Sequence, residues 1–217
     1  YTGTSSVIMS NFSSWGPTDD GRIKPDISAK GVNTFSSIAS SNTAYASFSG
    51  TSMSAPSVTG SLALLQQLHG NMHGNFMKSA TVRGLIIHTA LEAGATPGPD
   101  FKFGWGLLDT EASAKALLDE GFSSLVDENS IANAEVFTRT VTSNGIDPLI
   151  VTIAWTDLPG SIQGSIEDDT TPRLVNDLDI VLEDENGALF YPWKIVTTFF
   201  SILPASKGLM MSIMLKK

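Results

Sequence analysis

Hydrophobic and polar positions change their spacing once along this chain, near residue 130, and the two regimes predict different architectures. Between Ser54 and Leu68 the apolar residues Val58, Leu62, Leu64, Leu65 and Leu68 recur at helical intervals, with Gly60 and Ala63 small enough for close packing, so a buried helix is predicted. Pro56 is placed in its first turn, where a missing N–H matters little. The polar stretch His69 to Asn75 reads as the loop that ends it. A second helix is predicted over about Ser79 to Ala93, carrying Val82, Leu85, Ile86 and Ala90 on one face, and a third over about Thr110 to Glu120. Ser5 to Met9 and Thr34 to Ala39 read as strands, Asp19-Asp20-Gly21 as a turn, and Gly94 to Phe101 as a surface connection. Short strands alternating with helices over residues 1–122 imply an α/β domain.

Beyond residue 130 the period falls to two. Ala134 to Val141 and Leu149 to Trp155 alternate apolar and polar positions and are rich in β-branched residues, which predicts strands. Ile180 to Leu182 and Ala188 to Tyr191 flank Glu185-Asn186-Gly187 and read as a hairpin about an Asn-Gly turn. Strands without helices over residues 130–194 suggest an antiparallel β-sandwich appended to the first domain.

Composition narrows the function classes. The chain has 217 residues, 41% hydrophobic and 16% charged, enough apolar material for a packed core. Its net charge of −9 disfavours nucleic acid as a partner and leaves no basic patch for a membrane surface. The absence of cysteine removes disulfides, thiolate metal sites and cysteine catalysis. No apolar run reaches the roughly 18 residues a membrane span needs.

The candidate chemistry lies in Gly50-Thr51-Ser52-Met53-Ser54-Ala55-Pro56. A serine hydroxyl is a poor nucleophile until a base takes its proton and nearby donors hold the resulting oxyanion. Placing Ser52 where a helix begins exposes Oγ and aims unpaired backbone N–H groups at developing negative charge. Gly50 lets the backbone approach a substrate closely. The bland alternative for a bare Gly-Thr-Ser is an ordinary helix cap.

The whole seven-residue run resembles the nucleophile motif of the subtilisin-like serine proteases (subtilases, peptidase family S8), with Ser54 where alanine is commoner. Upstream, Phe12-Ser13-Ser14-Trp15-Gly16-Pro17 and Lys24-Pro25-Asp26-Ile27-Ser28-Ala29-Lys30-Gly31 are similar to a second segment of that family, with Lys30 replacing the usual proline. Gly104-Trp105-Gly106-Leu107-Leu108-Asp109 is similar to the segment that closes its catalytic domain. The resemblance implies the C-terminal half of a three-layer catalytic domain over residues 1–122, with Ser52 as nucleophile and Gly50, Thr51 and Met53 as its neighbours. It also implies that Ser47 to Ser49 flank the leaving-group side of the cleft and that Trp15 packs near that cleft without a catalytic role.

Subtilase triads run in the chain order Asp, His, Ser. None of the 51 residues before Ser52 is histidine; His69, His73 and His88 all follow it and read as structural or solvent-facing. The expectation is a chain that carries the nucleophile without its partners and does not hydrolyse peptides by itself. Leu174 to Ile180 resembles a signature of the jelly-roll domain some bacterial subtilases carry, which implies an incomplete sandwich over 130–194 and calcium, possible through Asp177 and Asp179, two positions apart on one face. Asp168-Asp169 reads as solvated loop charge. Residues 195–217, with three methionines crowded into Leu209 to Leu215, read as an out-of-frame or irregular tail left by a frameshift near residues 195–207. The implied partners are protein or peptide substrates outside the cell, with no nucleic acid and no membrane. The rival readings are a degenerate subtilase acting as a protein- or carbohydrate-binding module, and a binding sandwich for which the first half is scaffold.

Overall fold

In the computed structural model the described residues are 2–143, 145–162, 164, 166, 169–196 and 201–204. Three helices form the core: α1 (Thr51–His73), α2 (Ser79–His88) and α3 (Thr110–Leu118). They meet through Leu65 of α1, Val82, Leu85 and Ile86 of α2 and Leu117 of α3, with Met77 from the α1–α2 connection, and Ile27, Leu62, Leu68 and Leu108 pack against this centre. Burying a leucine side chain contributes about 1.5–3 kcal/mol, so these few contacts hold the helical half together. Polar links add direction. Thr89 Oγ1 lies 2.6 Å from Ser113 Oγ, joining the end of α2 to α3. Asp109 caps α3, its Oδ1 accepting the Ala112 N–H at 2.9 Å.

Glu128 closes the other end of α2. Its carboxylate accepts the Lys78 N–H at 3.0 Å and the Thr81 hydroxyl, and pairs with Lys78 Nζ at 2.7 Å. Burial opposes ionisation there, but these donors outweigh it and hold the carboxyl below its ordinary range.

Three extended segments are laced together beside the helices. Ser28 N–H donates to Gly106 C=O and Leu108 N–H to Ser28 C=O, both at 2.8 Å, while Leu91 and Leu107 exchange two bonds of 2.8 Å. Gly104 must be glycine: its φ is +67°, and a Cβ there would stand 2.2 Å from Pro25 O. The closing segment predicted from Gly104 to Asp109 therefore holds Asp26 to Ser28 against the α2 exit.

Strands are fewer than the pattern predicts. β1 (Thr34–Ser37) and β2 (Tyr45–Phe48) pair antiparallel, Thr34 opposite Phe48 and Ser37 opposite Tyr45. β3 (Leu182–Glu183) and β4 (Leu189–Phe190) form the hairpin expected around Asn186-Gly187. Asp184 organises its turn, with Oδ1 accepting the Asn186 N–H at 2.9 Å and the Ala188 N–H at 2.8 Å. β5 (Trp193–Val196) pairs antiparallel with β6 (Ser201–Pro204), so the boundary placed at residue 195 falls inside a strand. The expected tail from 205 onward, and Asp168, lie outside the described residues.

Several expectations need correction. Ser5 to Met9 is no strand: Thr4–Ser6 is a single 3-10 turn in which Ser6 Oγ donates to Gly3 C=O, local bonding that competes with a ladder. Ala134 to Val141 and Leu149 to Trp155 form no strand ladder among the described residues, and Ala134 sits in a turn with φ +60°. Alternation marks which face is apolar, whereas a ladder also needs a neighbour in register. The expected α/β character thus appears as three helices with small two-stranded antiparallel sheets.

α1 also departs at both ends. It begins at Thr51, so Pro56 sits in its second turn and leaves the Ser52 carbonyl without its usual i+4 donor. It continues through His69 and His73 and stops at Gly74, whose left-handed φ of 75° and N–H bond to Gly70 C=O terminate the helix. Leu64, expected in the apolar stripe, is 63% exposed, while its neighbour Leu65 is 1% exposed.

Candidate active site

The run from Gly50 to Ser54 is fixed by backbone contacts rather than by side-chain capping. Gly50, the N-cap of α1, is fully extended and donates its N–H to Gly31 C=O at 2.8 Å. The Met53 N–H turns back to Gly50 C=O at 3.0 Å, which closes the first turn. Ser52 is the second residue of the helix, exposed, and its Oγ makes no hydrogen bond among the described residues. Its backbone N–H lies in the first turn, where no intrahelical acceptor exists. The ordinary-cap alternative fails here, because the cap position is glycine and Ser52 caps nothing.

Two neighbours of the run carry positioning roles that the sequence pattern did not reveal. A Cβ on Gly31 would stand 2.9 Å from Gly50 O and 3.2 Å from Ser54 Cβ, so Gly31 permits the Ala29–Gly31 segment to lie against the start of α1. Ser54, the departure from the commoner alanine, donates its Oγ–H to Ala29 C=O at 3.0 Å. The extra hydroxyl therefore ties the first turn to that same segment. The signal was present as a glycine and an unexpected serine, but only the fold brings positions 31 and 54 together. Nearby, the Asn33 N–H donates to Ser49 Oγ at 2.9 Å, anchoring the end of the β1–β2 hairpin beside the run.

Met53 folds back over Gly50, its Sδ 3.6 Å from where a Cβ of Gly50 would sit. Thr51 is exposed beside Ser52. Ser47 and Ser49, expected to flank the cleft, are exposed at and just beyond the end of β2, which feeds directly into Gly50. Trp15 is exposed and meets Lys102, whose Nζ stands 5.2 Å from the ring centroid.

No histidine of the chain approaches Ser52 along α1. His69 and His73 lie 17 and 21 residues further on, roughly 25 and 31 Å along the axis at 1.5 Å per residue. His88 ends α2, largely buried, with Nδ1 3.4 Å from Thr152 Oγ1; burial pulls its pKa below the ordinary 6.5. These positions agree with the expected structural or surface roles.

Asp177 and Asp179 are both exposed. They follow a bend at Val175 and Asn176 that Asp157 holds, accepting the Val175 N–H at 2.9 Å, the Asn176 N–H at 3.2 Å and the Asn176 Nδ2–H at 2.6 Å. A calcium ion takes 6–8 oxygen ligands. Among the described residues no three acid, histidine or cysteine side chains are gathered on one point, Asp177 and Asp179 included. Among the described residues no helix is long and apolar enough to cross a membrane.

Comparison with known proteins agrees with the geometry. Residues 3–106 match the family described as the Subtilase family. The chain is 49% identical over 75 residues to a C5a peptidase of Streptococcus pyogenes, covering 35% of this chain and 6% of that protein. It is 57% identical over 63 residues to a C5a peptidase from serotype M18 of the same species, covering 29% of this chain and 5% of the relative. A PII-type proteinase of Lactococcus lactis subsp. cremoris is 34% identical over 150 residues, covering 61% of this chain and 8% of that protein. The chain thus spans less than a tenth of the length of these relatives.

Proposed function

We propose that Ser52 is the nucleophile of a subtilisin-like serine peptidase that cleaves peptide bonds through an acyl-enzyme, a reading supported by the match of residues 3–106 to the Subtilase family. One observation carries the reading: an exposed, unbonded Oγ on the second residue of a 23-residue helix, behind a glycine cap and beside a free first-turn N–H. In the reaction Ser52 Oγ attacks the scissile carbonyl as an imidazole removes its proton. The oxyanion that forms is held by the Ser52 N–H with the positive end of the α1 dipole behind it. The imidazolium then protonates the departing amine, and water releases the acyl group by the same steps in reverse. Gly50 and Thr51 shape the approach, and Met53 lies over Gly50.

In this reading the imidazole and its acid partner come from polypeptide other than these residues, which is supported by His69 and His73 lying far along α1 from Ser52. The substrates are proteins or peptides, and the work is done outside the cell, as the family resemblance implies. Calcium has no part in these steps. A fluorophosphonate probe tests the reading. A longer polypeptide carrying the partners should label at Ser52 and lose labelling in Ser52→Ala, whereas the 217-residue chain by itself should not label. Labelling of a longer polypeptide that persists in Ser52→Ala would overturn the assignment. A second reading, a binding module without hydrolysis, rests on the remoteness of His69 and His73 from Ser52 along α1; it predicts no labelling in either form.

A further inference from the structure

The far end of α1 carries a cluster that the peptidase reading does not use. His69 and His73 are one helical turn apart, their ring centroids 4.4 Å apart and their planes inclined by 32°. Glu120, just past the end of α3, brings Oε2 to 3.2 Å from His73 Nε2. The geometry points to a site for a divalent transition-metal ion, zinc above all, formed by His69, His73 and Glu120.

Three observations support it independently. First, a backbone carbonyl only accepts, so the 2.8 Å contact between His69 Nδ1 and Asn75 O puts the proton on Nδ1 and leaves the Nε2 lone pair free. A ring nitrogen held this way is how metal-binding histidines are oriented by their second partner. Second, Glu120 Oε2 is shielded from water and has no aligned donor among the described residues: His73 Nε2 is near enough for an ion pair but poorly directed for a hydrogen bond. A shielded carboxylate oxygen with no directed partner is a vacant ligand. Third, two ligands each 2.0–2.2 Å from a tetrahedral zinc stand about 3.3–3.5 Å apart, close to the separation already present. The helix adds its own bias, because the carbonyl end of α1 favours a cation.

The three donors are not gathered on one point as they stand, and closing the site requires side-chain rotation, which is freest at the exposed His73. Two imidazoles and one carboxylate suit zinc, nickel or copper rather than calcium, which prefers an all-oxygen set. The ion would bridge the end of α1 to the end of α3. It would thereby brace the helix that presents Ser52, although the site itself stands roughly 25 Å from that residue.

Zinc titrated calorimetrically into the full chain, prepared without a polyhistidine tag, tests the inference. Saturable one-to-one binding is expected, with the melting temperature rising as zinc is added. His69→Ala, His73→Ala and Glu120→Gln should each weaken binding about tenfold or more, and His88→Gln should leave it unchanged. Cobalt in place of zinc should show the intense visible bands of a tetrahedral ion, lost in His69→Ala. Absence of saturable binding, affinity indifferent to Glu120→Gln, or an equal loss in His88→Gln would overturn it.

Discussion

α1 and α2 are neighbours in sequence, yet they are held in opposite ways. α2 is ten residues long and buries six of them, Ala80 to Val82 and Gly84 to Ile86. α1 has 23 residues and fully buries one, Leu65. Ser52, Ala55, Thr59, Ala63, Leu64 and Gln67 are all exposed along one side of it. A short helix wrapped by neighbours is stable through burial, whereas a long helix touched along one stripe can carry a reactive group at its open end. The contrast separates what builds this fold from what it presents.

The largest effect should come from the adjacent pair Leu65 and Leu64. Leu65→Ala empties a fully buried site and should cost about 2–5 kcal/mol. Leu64→Ala, next to it but facing outward, should stay within about 0.5 kcal/mol. Urea unfolding of the two variants measures both. Equal losses would mean that the uncovered side of α1 is covered in solution, and the comparison with α2 would fail.

Gly31 probes how the open end of α1 is held. Ala at this position would push its methyl against Gly50 O and Ser54 Cβ, the contacts that fix the first turn. We expect a loss of about 1–3 kcal/mol, the usual effect of overpacking. If Gly31→Ala unfolds at the same urea concentration as the parent chain, the segment around Gly31 does not press on the helix start as described.

Much of this contrast was legible in the residues. The core of α2 followed from Val82, Leu85 and Ile86 at helical spacing, and the Asn186-Gly187 hairpin from its turn. The position of Ser52 at a helix start followed from the glycine before it. What escaped was set by partners distant in sequence. Leu64 and Leu65 carry the same side chain, and which one is buried depends on where α3 sits. Gly70 and Gly74 are equally good stop signals, and only the left-handed φ at Gly74 decides between them. The strands expected at 134–141 and 149–155 had the right alternation but no ladder partner among the described residues, which alternation cannot supply. Ser54 looked like a defect in the motif until its bond to Ala29 was seen.

The smallest expected effect tests the buried end of α2 through its histidine. His88 lies in a cavity of about 370 Å³ with Leu85, Val126 and Val151, and Arg139 and Asp127 line the same space. Burial disfavours the imidazolium, so the folded protein binds this proton only below the ordinary pKa of 6.5, while the unfolded chain binds it near 6.5. Between those two values the unfolded state holds more protons, and stability must rise with pH. The contribution of neutral His88 is therefore complete above 6.5 and is lost as pH falls through the folded value. Unfolding free energies at pH 7.5 and 5.5 should differ more for the parent chain than for His88→Gln, which retains the shape without the charge. Because carboxylates titrate in both proteins, the informative quantity is the difference between the two slopes. Identical slopes would mean that His88 protonates as freely as an exposed histidine, and α2 would then be as open at its end as α1 is at its start.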